Sequence, residues 1–261
     1  MYSQAFSLVD FEYYLLILVR VATFVFIAPF FGQRGIPNRT KIGLAAIIAL
    51  LVFYVVHPEE AVEYADVFGY GALVFKEALT GLLIGYSANI CNYILMFAGN
   101  IIDMDIGLSM VSQFDPTSNV QVTITGNIYN QVVLAFLVIS NMHHYILRAF
   151  IDSFSLLPLG GTVFRSDVLL EGMIVYFTDL FILGFRIMLP IFAAMLIVNV
   201  VLGIMAKVAP QMNMFAIGVQ IKIMVGLVIL MVMVFLFPEV VEMVFKEIRL
   251  QMANMMDGLH E

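Results

Sequence analysis

Gly107-Leu108-Ser109, with His143-His144 on a later segment, is the nearest this chain comes to a catalytic constellation. A serine becomes a nucleophile when a histidine within reach takes its proton. Here, however, the serine is followed by Met110, where intramembrane serine proteases place a glycine. The two histidines stand next to each other beside Asn141, near a helix end, and point to different sides of a helix. They do not share a metal, because paired ligands on a helix stand at i and i+4. Asp103, Asp105 and Asp115 do not follow the ligand ladder of a calcium loop. Cys91 is the single cysteine, so neither a disulfide framework nor a thiolate metal site is available. No phosphate-cradling glycine loop or dinucleotide fingerprint occurs. The expectation is a non-enzyme with no catalytic residue, no metal and no cofactor.

What remains is polar groups in apolar surroundings, whose chemistry is pairing, docking and gating. Arg20, Arg186 and Lys222 sit within apolar segments, and Lys76-Glu77 lies near the start of another. A charge near the centre of a bilayer costs at least about 2.5–3.5 kcal/mol, so it faces protein or water. Either these groups pair inside the chain and fix helix packing, or they meet partner subunits or a water-filled lumen. Few acids are available in the chain to pair them, which favours partners. A second polar cluster runs from Asp103-Met104-Asp105-Ile106-Gly107-Leu108-Ser109-Met110 through Phe114-Asp115-Pro116 to Gln121. Its Gly, Ser, Thr, Asn and Pro content reads as a loop between apolar segments. It is either an ordinary surface connection or a re-entrant loop in a protein-lined channel. A third break is Ala206-Lys207-Val208-Ala209-Pro210-Gln211-Met212-Asn213-Met214-Phe215. It stands between residues 187–206 and 223–238, neither of which holds an Asp, Glu, Lys or Arg. Irregular backbone is tolerated in lipid only at a surface, against protein or against trapped water, so this turn lies at a membrane face or a subunit contact.

The elements that must position these residues are helices. Of the 261 residues 62% are hydrophobic and 12% charged, and the mean hydropathy is +1.02. Soluble domains carry about 25% charged residues. A water-soluble fold of this size could not hide so much apolar surface, so the chain is an integral membrane protein of several helices. The net charge of −7, with no basic patch, excludes a nucleic-acid partner. The first twelve residues contain no base, so the first apolar segment is expected to stay in the mature protein. Residues 11–31 could span a bilayer. Residues 42–57 extend about 24 Å and are short for a hydrocarbon core of about 30 Å. Residues 67–102 reach about 54 Å as one helix, so a bend is expected near Gly81 and Gly85. Residues 125–147, 172–206 (with a kink at Pro190) and 214–245 complete the set, and 153–171 is a linker. Ordinary tilt cannot absorb such excess length, which points to a body extending beyond the membrane plane. Residues 32–41 hold Arg34, Arg39 and Lys41, whereas 58–66 hold four acids. By the positive-inside rule the basic loop is cytoplasmic and the N-terminus outside, and Lys207 puts its turn on the cytoplasmic side. Gly81-Leu82-Leu83-Ile84-Gly85 is a small-xxx-small element that lets helix backbones approach.

In order along the chain, these residues resemble the FliR family of flagellar type III export-gate proteins, whose injectisome relatives belong to the same superfamily. Pro29-Phe30-Phe31, Arg34-Gly35-Ile36-Pro37 and Lys41-Ile42-Gly43-Leu44-Ala45 are similar to its first helix and basic loop. Gly81 to Gly85, then Gly107-Leu108-Ser109 with Asp115-Pro116, are similar to its third segment and central loop. Asn141-Met142-His143, Phe150-Ile151-Asp152-Ser153-Phe154 and Leu157-Pro158-Leu159-Gly160 are similar to the next helix and linker. Leu189-Pro190, Asn199, Leu202-Gly203 and the Ala209-Pro210-Gln211 to Phe215 run are similar to the C-terminal hairpin, and the last is the most specific. Val219-Gln220 departs from the family, many members of which carry phenylalanine or proline after Gly218.

The resemblance implies an all-α integral membrane protein whose long, kinked helical hairpins assemble into a helical export gate. It implies FliP-type, FliQ-type and FlhB-type partners, exported flagellar proteins as cargo, and a place in the bacterial inner membrane at the flagellar basal body. Residues 1–171 would form a FliP-like portion and 172–245 a FliQ-like hairpin of a single gate domain. Residues 107–118 would be the channel plug, with Gly107, Leu108, Ser109, Met110, Phe114, Asp115 and Pro116 among them. Lys207, Pro210, Gln211, Asn213 and Phe215 would stand at the cytoplasmic entrance. Two alternatives stay open. An injectisome homologue would share fold and mechanism. A small-solute secondary transporter would use buried charges and broken helices, but needs an inverted repeat that the sequence does not display.

Overall fold

Long apolar runs with few breakers become helices, and among the described residues there is no strand. The computed structural model describes residues 8–33, 35–56, 64, 66–109, 123–211 and 213–260. In chain order the helices are α1 (Leu8–Ile27), α2 (Asn38–Val56), α3 (Val67–Ala88), α4 (Ile90–Ile106), α5 (Ile124–Ile139), α6 (Met142–Leu156), α7 (Ser166–Val208), α8 (Met214–Met233) and α9 (Phe237–Leu259). One 3-10 turn, Val234–Leu236, joins the last two.

Several boundaries differ from the sequence reading, each for a local reason. α2 starts four residues before Ile42, because the Pro37 carbonyl accepts from the N–H groups of Thr40 and Lys41. Arg39 and Lys41 therefore belong to its first turns rather than to a loop. The 67–102 run is interrupted at Asn89, not at Gly81 or Gly85; the Asn89 N–H caps the carbonyls of Gly85 and Tyr86. The 125–147 run breaks at Asn141, which takes the left-handed conformation (φ 57°) that asparagine tolerates. α7 continues as helix through Pro190.

The chain divides into two compact units, neither continuous in sequence. The first comprises residues 1–90, 137–176 and 246–261. Its centre is α1, which packs on α2 and α3 and fully buries Leu16, Ile17, Val21, Phe24 and Val25. α1 is apolar but carries Asp10, Glu12 and Arg20. Its buried face makes it the core helix of this unit. Gly81 and Gly85 bring α3 against it: a Cβ on Gly81 would lie 2.1 Å from the Arg20 carbonyl oxygen. Phe24 stacks on Phe150 of α6 at 3.8 Å between ring centroids. The second half of α9 joins this unit with an i, i+3/i+4 stripe of Ile248, Met252, Met255 and Leu259, all buried.

The second unit comprises residues 91–136 and 177–245. Here α4 is central. Phe97 enters the space left by Gly184 of α7, with Phe181 and Phe185 edge-on at 5.1 and 5.5 Å. Gly226 of α8 faces the Ile106 side chain, and Tyr129 of α5 meets Phe237 at 5.2 Å. Among the described residues, four helical runs are long and apolar enough to cross a membrane: α2, α3, α7 and the run Ile217–Leu259. The number is up to five if α5 and α6, broken at Asn141, count as one.

Candidate functional site

The α4–α5 junction is the most developed polar arrangement in the second unit. α4 runs through Asp103 and Asp105 and stops at Ile106, so the acids read as the start of a loop belong to helix. The stop is Gly107, whose φ of +94° suits glycine and whose N–H returns to the Asp103 carbonyl at 3.1 Å. On the far side Thr123 precedes α5 and caps it, its Oγ1 accepting from the Gly126 N–H at 3.0 Å. The Asp103 carboxylate, 3% exposed, joins the two. Thr123 Oγ1 donates to its Oδ2 at 2.7 Å, and Thr125 Oγ1 donates to its Oδ1 at 2.5 Å. The Thr125 N–H lies 3.3 Å from both oxygens. Of the expected plug residues, Gly107 is buried and Leu108 and Ser109 are half-buried. Met110, Phe114, Asp115 and Pro116 lie outside the described residues.

The first unit holds a buried charge cluster built from α1, α3 and the segment after α6. Arg20 and Glu77 are both 0% exposed, and Arg20 Nε donates to Glu77 Oε2. Arg20 Nη1 also donates to the Leu157 carbonyl at 2.8 Å, and its guanidinium lies 4.5 Å from the centre of the Phe154 ring. The Gly160 N–H donates to Glu77 Oε1 at 2.8 Å, and Lys76 Nζ donates to the Gly160 carbonyl at 2.6 Å. Thr80 Oγ1 lies 3.3 Å from Thr162 Oγ1. Three of the five singled-out charges, Arg20, Lys76 and Glu77, thus hold the 157–162 segment onto α1 and α3 by internal pairing. Arg186 is different: it is exposed on an otherwise apolar stretch of α7, with Leu189 and Ile182 exposed beside it. Lys222 is half-buried on α8, one turn before Gly226.

The hairpin turn follows Val208, where the Ala209 N–H closes on the Met205 carbonyl at 2.9 Å. Lys207, Pro210, Gln211 and Asn213 are exposed. The Asn213 carbonyl accepts from the Ile217 N–H to start α8, the helix that contains Phe215. Lys41, counted in sequence as a loop charge, is buried; its Nζ donates to the Gly32 carbonyl at 2.9 Å. His143 is held by packing, with its ring 5.6 Å from that of Phe30 and its Nδ1 3.3 Å from the Leu137 carbonyl.

Sequence reasoning missed Thr123 and Thr125 as partners of Asp103. The signal was present, since a threonine immediately before an apolar run is a helix N-cap signature. The Leu157 carbonyl and Gly160 N–H were not findable from side-chain chemistry, because they act through backbone.

A family model described as bacterial export proteins, family 1, matches residues 11–248. The chain is 30% identical over 242 residues to the flagellar biosynthetic protein FliR of Bacillus subtilis, covering 92% of this chain and 93% of that protein. It is 27% identical over 244 residues to the flagellar biosynthetic protein FliR of Escherichia coli, covering 93% and 92%. It is also 30% identical over 224 residues to the protein of that name from Aquifex aeolicus, covering 83% of each.

Proposed function

The chain belongs to the bacterial export proteins, family 1, and from that membership we propose a non-enzymatic membrane subunit of the flagellar protein export gate. The observation that carries this reading is likeness along nearly the whole chain to proteins named for flagellar biosynthesis. The subunit works in the bacterial inner membrane at the flagellar basal body, with FliP-, FliQ- and FlhB-type subunits. Residues 1–171 act as the FliP-like portion and 172–245 as the FliQ-like hairpin. The large apolar surfaces left open on α7 and α8, from Phe177 to Val208 and from Met224 to Val232, support a body completed by lipid and other chains.

The physical role is closure. A channel wide enough for an unfolded polypeptide must be shut to ions and water when idle, and apolar constriction does this by excluding water. Residues 107–118 supply the plug: Gly107 gives backbone freedom, and Met110 and Phe114 provide apolar seal. Lys207, Pro210, Gln211, Asn213 and Phe215 form the cytoplasmic entrance. The test is co-purification from the native membrane. The tagged chain brings FliP- and FliQ-type proteins with it, and recovery as a lone homomer contradicts the reading. Shortening 107–118 raises membrane ion conductance while the complex still assembles; unchanged conductance in an assembled complex contradicts the plug.

A further inference from the structure

We propose that Asp105 of α4 is the counter-charge of Lys222 of α8, and that this couple sets the two helices against each other. It goes beyond the export-gate reading and does not depend on it. Lys222 is the one charged residue between positions 208 and 238. It lies in a helical run apolar enough to cross a membrane, where an ammonium needs protein or water beside it. From sequence, that neighbour could belong to this chain or to a partner subunit. The contact between α4 and α8 supplies one from this chain. Ile106 of α4 fills the space beside Gly226 of α8, where a Cβ would lie 2.6 Å from Ile106 Cγ2. Lys222 stands four residues before Gly226 and so shares that side of α8. Asp105 immediately precedes Ile106 and flanks the same contact from α4.

Asp105 is available for this task where Asp103 is not. Two residues apart on a helix, their side chains leave α4 about 200° apart. Asp103 uses both oxygens on Thr123 and Thr125. Asp105 is half-buried, and its Oδ2 is shut off from solvent with no hydrogen-bond partner among the described residues. An anionic oxygen in that position is costly unless a cation faces it. Burial pushes the Asp105 carboxyl up, and the charge of Lys222 opposes that push. Other ionisable groups on the helices packed against α4 are placed elsewhere. α5 brings Tyr129, which packs on Phe237. α7 meets α4 two turns before Asp105, where Phe97 enters the space at Gly184, and Asp179 and Arg186 flank that point. Among the described residues the one ion pair at contact distance is Arg20–Glu77. Asp105 and Lys222 therefore act across a gap, within the compass of the lysine's flexible four-carbon stem.

The experiment uses the full chain as extracted from its native membrane, with whatever subunits accompany it. Thermal midpoints are measured at pH 5 and pH 8 for Lys222→Met, Asp105→Asn and the double variant. In Lys222→Met the carboxylate loses its cation, so its titration moves up. A carboxyl raised in the folded state gives stability that is present below its ordinary range, about pH 4, and is lost as pH rises through the folded value. The deficit of Lys222→Met is therefore larger at pH 8 than at pH 5 by about 3 °C or more, the shift expected from about one unit of displaced titration. Adding Asp105→Asn removes that pH dependence and recovers part of the loss at pH 8. If Lys222→Met does not accumulate, Lys222→Gln is read in its place. Equal deficits at both pH values, additive with Asp105→Asn, overturn the couple. Loss of partner subunits from Lys222→Met, undiminished by Asp105→Asn, overturns it too and assigns the lysine to a neighbouring chain. If the chain is recovered as a lone homomer that still shows the pH-dependent coupling, the export-gate reading fails and the couple stands. If partners are recovered and the coupling is absent, the couple fails and the gate stands.

Discussion

Arg20 and Glu77 show how a charge survives inside so apolar a chain. Removing two ions from water costs more than their attraction alone returns, unless further hydrogen bonds complete each group. Here the Leu157 carbonyl takes a second Arg20 donor and the Gly160 N–H binds the second Glu77 oxygen, while Arg20 Nη2 has no hydrogen-bond partner among the described residues, so the pair is also a clasp on the 157–160 segment. Removing one partner leaves an uncompensated buried charge, at a cost of about 3–5 kcal/mol. Arg20→Met or Glu77→Leu alone therefore lowers thermal stability in detergent sharply, and the double substitution recovers a large part of the loss. A double variant no more stable than the worse single one contradicts this account. Arg186 has no such partner among the described residues and projects from a helix surface that is otherwise apolar. Facing hydrocarbon would cost it at least about 2.5–3.5 kcal/mol, so the proposed gate has it meet a neighbouring subunit or a water-filled lumen, and the first of these is testable. Arg186→Ala weakens recovery of partner subunits while leaving the melting temperature of the isolated chain within about 2 °C, since exposed substitutions lie within about 0.5 kcal/mol. Full recovery of partners would place Arg186 elsewhere.

Helix contacts here depend on missing side chains as much as on present ones. Gly81 holds α3 against α1 with no space for a methyl group, whereas a Cβ on Gly85 would lie 3.2 Å from the Phe24 carbonyl oxygen and one on Gly43 would touch nothing within 4 Å. Gly81→Ala destabilises by about 1–3 kcal/mol or more through overpacking, Gly85→Ala by less, and Gly43→Ala hardly at all. Thermal unfolding of the three variants in detergent gives that order; equal effects would mean α1 and α3 do not meet there. The small-xxx-small spacing was readable in sequence as a close contact. Reading the same glycines as a bend was a mistake, because spacing does not say whether absent side chains serve a neighbour or a kink. The break at Asn89 depends on one residue's backbone conformation. The link from Asp103 to Thr123 and Thr125 was hidden for a different reason: acids followed by Gly and Ser look like loop until the partner helix end is in view.

At the scale of the molecule, composition alone gave the all-helical membrane class, and the ordered motifs gave the family. Those two inferences need only the abundance of apolar residues and the order of a few polar breaks. The arrangement into units was not legible, because residues 137–176 and 246–261 return to pack with the first 90 residues, and no local pattern encodes that return. The amphipathic stripe of α9 was its one available trace, a face that needs cover without naming what covers it. The exposed apolar surfaces of α7 and α8 pose the same question outside the chain, and the proposed answer is an export gate in which neighbouring subunits and lipid cover them. The most direct measurement is a strain lacking this gene, scored for swimming and for hook and filament proteins in the culture medium, with the wild-type gene restored as control. The account predicts non-motile cells that retain hook and filament proteins inside, with both traits restored by the gene. Normal secretion of those proteins in its absence would contradict it.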